Sequence, residues 1–425
     1  MKGLKLSLIV MTATLLTIGL SGMAFAFHSG GVAECGGCHS MHSPAAGGSK
    51  LLIRVDQSST CLSCHAAADT TASSYHVMTY PVPGAGSAPV ERTPGGDFAW
   101  LLKDYTMTIR NATTTEKGET HGHNVYAADF GIGGDSRFST SPGGSFPAGP
   151  QFQCTSCHDA HGKYRRLVDG TVVTSGKAIR GSGSYKTSAD PDANFAVGTY
   201  RLLPGLGFTQ GGTLVGFPGV PNAVVTSTYN MGEGTNQLRV AYGIGSKAGT
   251  ANWGKWCGAC HGNMHSDGNY VHPVDQNLGS TTQGIYNAYL NSSNTTGNTS
   301  ATSYLSLVPF VDNTDNYTTL KGLANNNSPT YAGPATANEK VSCLSCHRAH
   351  ATGWPEALRW NMEGEFLTVA DTAGNAIWPG TDNGAPAQFA RGRTAAETKA
   401  AYYDRNVSVF GAYQRVLCNK CHAKD

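Results

Sequence analysis

Residues 35–42 read CGGCHSMH, and the Cys-x-x-Cys-His spacing inside that string recurs along the whole chain. The six copies are Cys35–Cys38–His39, Cys61–Cys64–His65, Cys154–Cys157–His158, Cys257–Cys260–His261, Cys343–Cys346–His347 and Cys418–Cys421–His422. Together they use all twelve cysteines. This is the attachment signature of c-type haem, in which two thiols form thioethers to the porphyrin and the next residue binds iron. One copy alone fits a zinc half-site or a redox dithiol. Six copies with no cysteine left over point to six covalent haem c groups and to electron transfer.

The rest of the chain agrees with a fold organised by cofactor rather than by polypeptide. Glycine supplies 54 of 425 residues and charged residues 14%, against about 7% and about 25% in average proteins. Ser, Thr and Asn are dense, and 291–303 (NSSNTTGNTSATS) approaches low complexity. Long amphipathic periodicity is scarce. Short helical turns are expected after several motifs, with one helix near 394–405 opening at Thr394. The strand-like run 305–311 (LSLVPFV) is brief and broken by proline. The expected fold class is mostly coil with short helices and very little strand: an elongated multihaem c-type cytochrome organised around a haem chain. Successive first cysteines lie 26 to 103 residues apart, so long loops separate haems placed at both chain ends.

Residues 1–26 read as a secretory signal peptide: Lys2 and Lys5, an apolar stretch from Leu6 to Leu20, then Ala24-Phe25-Ala26 as the cleavage site. A membrane anchor is the competing reading, but the stretch is short for a span of about 18 apolar residues. Residues 27–425 are then expected to be a single hexahaem domain, exported through the periplasm. The formal net charge of +2 carries no large basic excess, so nucleic acid is not an expected partner. Lys163, Arg165 and Arg166, beside the third motif, are candidate partners for haem propionates.

Nine histidines lie outside the motifs: His28, His42, His76, His121, His123, His161, His265, His272 and His350. They suffice to give every haem a second axial ligand. His42, His161 and His350 each follow a motif histidine by three residues, in CHSMH, CHDAH and CHRAH. On a helical turn, residues three apart share a face. The second histidine cannot reach the far side of its own haem, so it serves a neighbouring haem and draws the two together. His265 shares this logic at four residues. His76 and His272 are loop candidates, His28 lies near the first haem, and one of His121 and His123 is expected to be spare. Methionine is an alternative ligand (Met41, Met78, Met107, Met231, Met264, Met362), but the histidines suffice. Bis-histidine haems are closed to small ligands, which favours a carrier over a catalyst, and no catalytic residues are assigned.

The stretches FHSGGVAECGGCHSMH (27–42), TPGGDF (93–98), CTSCHDAHGKYRRLVDG (154–170), SCLSCHRAHA (342–351) and YQRVLCNKCHAKD (413–425) resemble the OmcS family. These are hexahaem outer-surface cytochromes of metal-reducing bacteria that polymerise into conductive filaments. The resemblance runs along essentially the whole chain after residue 26. It implies mostly bis-histidine haems, almost all-loop structure, a head-to-tail homopolymer and electron delivery to extracellular metal oxides such as iron oxides. It also implies exchange with other c-type cytochromes, ligation by His42 of the fifth haem (His347) of the next subunit, and His123 rather than His121 as ligand. Two other functions compete: a monomeric periplasmic or extracellular shuttle, and a multihaem reductase, which needs an iron with a vacant face.

Overall fold

The computed structural model describes residues 35–48, 50–67, 75–181, 184–186, 188–226, 239–265, 272–303, 307–324 and 333–422. The signal peptide, His28 and Met231 lie outside the described residues. Regular structure is sparse, as the composition implies. The longest described helices are Gly279–Ala288, with ten residues, and Gln57–His65, with nine. No described helix is long and apolar enough to cross a membrane.

Strands come in short pieces. Tyr105–Ile109 pairs antiparallel with Ala112–Glu116 across a two-residue turn. Arg110 and Asn111 both adopt positive φ there, the conformation whose twist suits a tight hairpin. Asn222–Val224, Ala241–Gly243 and Val311–Asp312 form a three-stranded mixed sheet. A four-stranded sheet gathers two- to four-residue strands around Arg165–Arg166. Among the described residues of the run 305–311, which are 307–311, Val311 alone is in a strand; Pro309 lacks the N–H a ladder requires.

The helix expected near 394 spans Ala395–Ala401. Thr394 and Glu397 close a reciprocal capping box at its start. The low-complexity stretch is ordered by its own amides: Asn298 Nδ2 donates to Ala288 O at 2.8 Å and to Asn294 Oδ1 at 2.8 Å.

Two apolar clusters carry most of the core. The larger packs Phe98, Trp100, Trp354, Trp378, Tyr402 and Phe410; the other surrounds Phe217, Trp253 and Trp256. Cys154, Cys346, Cys418 and Cys421 border the first, whereas Cys157, Cys257 and Cys260 border the second. The third motif therefore straddles the seam, with one cysteine against each cluster. The core divides around the line of motifs instead of forming one mass.

Candidate haem sites

Each motif is a compact turn. In five of the six, the histidine N–H donates to the carbonyl of the first cysteine, at 2.8 Å for His39, 3.0 Å for His158, 3.1 Å for His261, 2.9 Å for His347 and 3.1 Å for His422. One closed turn thus brings two thiols and an imidazole to one side. Most helical residues at the motifs lie on or before the Cys-x-x-Cys strings (Cys35–Cys38, Gln57–His65, Trp253–Cys257, Cys343–Cys346); the expected turn after the motif is present at the fourth, as Gly262–His265. Small polar neighbours hold these turns. Ser345 and Ser342 form a capping box, Gln153 and Ser156 another, and Asp56 caps Gln57–His65 by accepting from Ser59 N at 2.6 Å. Ser58 Oγ accepts from Cys154 N at 3.0 Å, joining the second motif to the third.

The motifs line up in chain order. Burial and then Cys64 raise the Cys38 thiol, Cys61 shares a hydrogen bond with Cys154, and burial and then Cys260 raise Cys157. Cys257 shares a hydrogen bond with Cys343, and burial followed by Cys418 and Cys421 pushes Cys346 up to about 12. Each motif lies close enough to the next for its thiols to feel it.

The imidazoles are held by one nitrogen. His39 Nδ1 lies 2.9 Å from Lys50 O, His65 Nδ1 3.0 Å from Tyr75 O, and His158 Nδ1 2.6 Å from Arg201 O. His261 Nδ1 lies 2.8 Å from Pro142 O and His347 Nδ1 2.7 Å from Glu356 O. An Nδ1–H that donates to a carbonyl fixes the tautomer and leaves Nε2 with a bare lone pair for a metal.

Three pairs of rings face each other at matching separations. His158 and His350 have centroids 6.3 Å apart, His261 and His123 6.0 Å, and His422 and His272 6.2 Å. Two imidazoles sharing one metal ion through bonds of about 2 Å have centroids roughly 6 Å apart. The spacing fits an iron between each pair. Desolvation favours the neutral form, as ligation requires, at His123 and His350: burial and then His261 bring His123 down to about 4, and burial and then His158 bring His350 down to about 3. Burial also lowers His158 and His347.

His350 and His123 lie on one small ladder. His123 N donates to His350 O at 2.9 Å, and His123 Nδ1 lies 2.7 Å from Ala349 O. The TPGGDF segment wraps the other side: His350 N donates to Gly95 O at 2.7 Å, and Phe98 stacks on the His350 ring at 4.6 Å. A Cβ at Gly95 would meet His350 Nδ1 at 2.8 Å, and Gly96, at φ +105°, has Ala351 O where its Cβ would be. Phe98 and these glycines line the candidate site, although sequence reasoning assigned them no role there. An aromatic next to a Gly-Gly pair was the available signal.

The remaining candidates separate clearly. Both ring nitrogens of His121 face protein oxygens, Nδ1 at 3.0 Å from Trp100 O and Nε2 at 2.8 Å from Glu116 Oε1, so neither is directed at a place for iron. His42 and His161 are exposed. His76 lies 4.0 Å from Glu91 and packs on Tyr75, which also contacts His65. His265 ends a 3-10 turn, Gly262–His265, and its side chain lies outside the described residues. Of the methionines, Met78 and Met107 are buried, while Met41, Met264 and Met362 are exposed. The i, i+3 histidines do not ride on a helical turn: His39 and His347 are in isolated bridges, and the residues after them run into bends. The motif turn ends at its histidine, with His347 already extended at φ −112°, ψ 161°. Arg166, one of the candidate propionate partners, is buried with Nε and Nη1 unmatched by any protein acceptor.

Paired thiols, neutral imidazoles with one nitrogen anchored, and ring pairs spaced for a shared iron define a multihaem c-type cytochrome. No protein-family model matches the sequence. The chain is 47% identical to the C-type cytochrome OmcS of Geobacter sulfurreducens over 446 aligned positions, covering all of both chains. Its fold is similar to the cryo-EM structure of the OmcS nanowires from that organism, at a TM-score of 0.84 and 45% identity. It is equally similar to the Outer Membrane Cytochrome S filament, at 0.83 and 45%; each comparison covers 94% of this chain and 100% of the other. The chain belongs to the OmcS family of c-type cytochromes.

Proposed function

We propose that this protein is a subunit of an extracellular electron-conducting filament. Six covalent haem c groups would be held by the six cysteine pairs and by His39, His65, His158, His261, His347 and His422. Haem iron supplies one-electron exchange between ferric and ferrous states. The chain's own residues do the rest: they fix five of the six motif imidazoles by Nδ1, favour the neutral form of His158 and His347 by burial, and set successive motifs near one another so that transfer distances stay short.

The observation that carries this reading is the set of three ring pairs at 6.0–6.3 Å. It supports His350 as second ligand at the third site, His123 at the fourth and His272 at the sixth. His28, His76, His161 and His265 remain for the first and second sites. His42 of one subunit would serve the fifth site of the next. Its exposure, and that of Met41 at 78%, support a segment reaching outward. Among the described residues His347 makes no ring contact with a histidine, which supports a ligand from outside the chain. A head-to-tail contact that does not close generates a helical filament.

Both structural relatives are described as a nanowire or filament, which supports assembly here and an outer-surface location after export. The protein would act as a carrier rather than a catalyst, taking electrons from other c-type cytochromes and passing them to metal oxides outside the cell. Electron microscopy of the haem-loaded protein tests the reading. Filaments of regular width are expected; discrete particles only would overturn it. Carbon monoxide binding strongly to one haem of the reduced protein would argue for a reductase.

A further inference from the structure

Three of the six motifs, those with a second histidine three residues on, share a backbone device absent from the chemistry above. Below His39, His158 and His347 lie pairs of consecutive non-glycine residues in the left-handed region: Lys50 (φ 58°) with Leu51 (60°), Arg201 (50°) with Leu202 (59°), and Glu356 (59°) with Ala357 (55°). In each, the first carbonyl accepts from the motif histidine Nδ1, at 2.9, 2.6 and 2.7 Å. The second carbonyl accepts from the N–H of the next motif residue: Ser40 to Leu51 at 2.7 Å, Asp159 to Leu202 at 2.9 Å, Arg348 to Ala357 at 2.8 Å. A leucine follows every pair (Leu52, Leu203, Leu358). A third bond returns from Ile53 N to Cys38 O at 3.1 Å and from Arg359 N to Cys346 O at 2.8 Å. In the third copy that position is Pro204, which has no N–H to give.

Left-handed backbone is disfavoured for residues with a Cβ, and three matched doublets at three equivalent places are not incidental strain. By contrast, the described histidines of the second and fourth motifs are gripped by one carbonyl each, Tyr75 O and Pro142 O, and neither residue is left-handed. We infer that residues 50–51, 201–202 and 356–357 are positioning residues. Each clasp fixes one motif imidazole and, by holding the residue after it, also sets the direction in which the second histidine leaves. One clasp thus controls ligands of two haems: 356–357 acts on the fifth site through His347 and on the third through His350. Residues 50–51 act on the first site through His39 and on the neighbouring subunit through His42.

This rests on the ligand reading above, and the experiment separates the two. Glu356 is exposed on its side-chain face, at 61%, and its side-chain partner, Arg137 at 3.6 Å, is lost equally in both replacements below. Glu356→Val and Glu356→Gly both remove the charge, but only valine resists the left-handed backbone. The holoprotein is compared by haem count, by electron paramagnetic resonance of the ferric state and by redox titration. Glu356→Val should move two of the six low-spin signals and their two titration waves, and Glu356→Gly should restore them. Identical spectra for the two variants, or movement of one signal only, would overturn the clasp while a wild-type count of six haems left the ligand reading standing. Should Glu356→Val fail to load haem, the Lys50 pair decides. Lys50→Val is expected to cut filament yield at least tenfold relative to Lys50→Gly, and equal yields would overturn the inference.

Discussion

His42 and His350 are written in nearly the same string, CHSMH and CHRAH, yet the fold places them in opposite environments. His350 is wrapped by Gly95, Gly96 and Phe98, faces His158 and is tied to His123 through the backbone. His42 sits exposed beside an exposed methionine and Lys50–Leu51. The motif aims a second histidine away from its own site in both. Whether the target lies within the chain or in a neighbour is decided by what packs around it. On the ligand reading proposed above, one copy builds the subunit, and the other is left for assembly.

The comparison breaks most visibly at His350. His350→Ala removes a ring that stacks on Phe98 and faces His158, and on the proposed reading it strips the third site of its second ligand. A subunit stability loss of about 4–5 kcal/mol is expected from the lost aromatic packing alone. The reduced variant should bind carbon monoxide at one haem of the six, read as a difference spectrum. Gly96→Ala tests the wrapping without touching a ligand. A Cβ there would overlap Ala351 O at a φ that L-residues avoid, so about 3–4 kcal/mol should be lost in chemical denaturation.

His121 and His123 sharpen the same lesson two residues apart. His121 is spent on Glu116, which also pairs with Arg391 and the fully buried Arg393. Burial would raise Glu116, but the hydrogen bond from His121 and the Arg393 guanidinium hold it down to about 2. A carboxylate whose folded pKa is depressed stabilises the fold above its unfolded value near 4.5. That contribution, about 3 kcal/mol, is lost as pH falls from there through about 2. His121 acts in the same sense: burial lowers its pKa, so below about pH 6.5 the unfolded chain takes up the proton first. Glu116→Gln should therefore lose about 3 kcal/mol at pH 7 and little at pH 2, measured by denaturation at each pH.

What was legible in the sequence was what is local. The motif cysteines and histidines, the Thr394 capping box and the loop-rich fold are written in adjacent or periodic residues. The pairing of ligands was not, because it depends on contacts such as His123 to Ala349, 226 residues apart. TPGGDF could be seen as unusual, but its role needs His350 beside it. The clasps escaped notice because KLL, RLL and EAL carry no turn residue; nothing in those letters announces a left-handed pair. Helical spacing misled us about the i, i+3 histidines: the direction was set by a backbone grip from residues further along, not by a shared helix face.

The smallest expected effect on the subunit is the most informative. His42 is exposed and makes no contact that orders the core, so His42→Ala should change subunit stability by less than about 0.5 kcal/mol. If His42 ligates the fifth site of the next subunit, the same change should abolish filaments, because the cross-subunit coordinate bond and the register it fixes are lost together. The fifth haem should then bind carbon monoxide in the dispersed protein. Intact filaments from His42→Ala would mean that His42 and His350 differ only in exposure, and that assembly is held by the apolar surface around Met41 and Leu51 instead. A subunit that unfolded on losing His42 would mean that the exposed copy, like the buried one, serves its own chain.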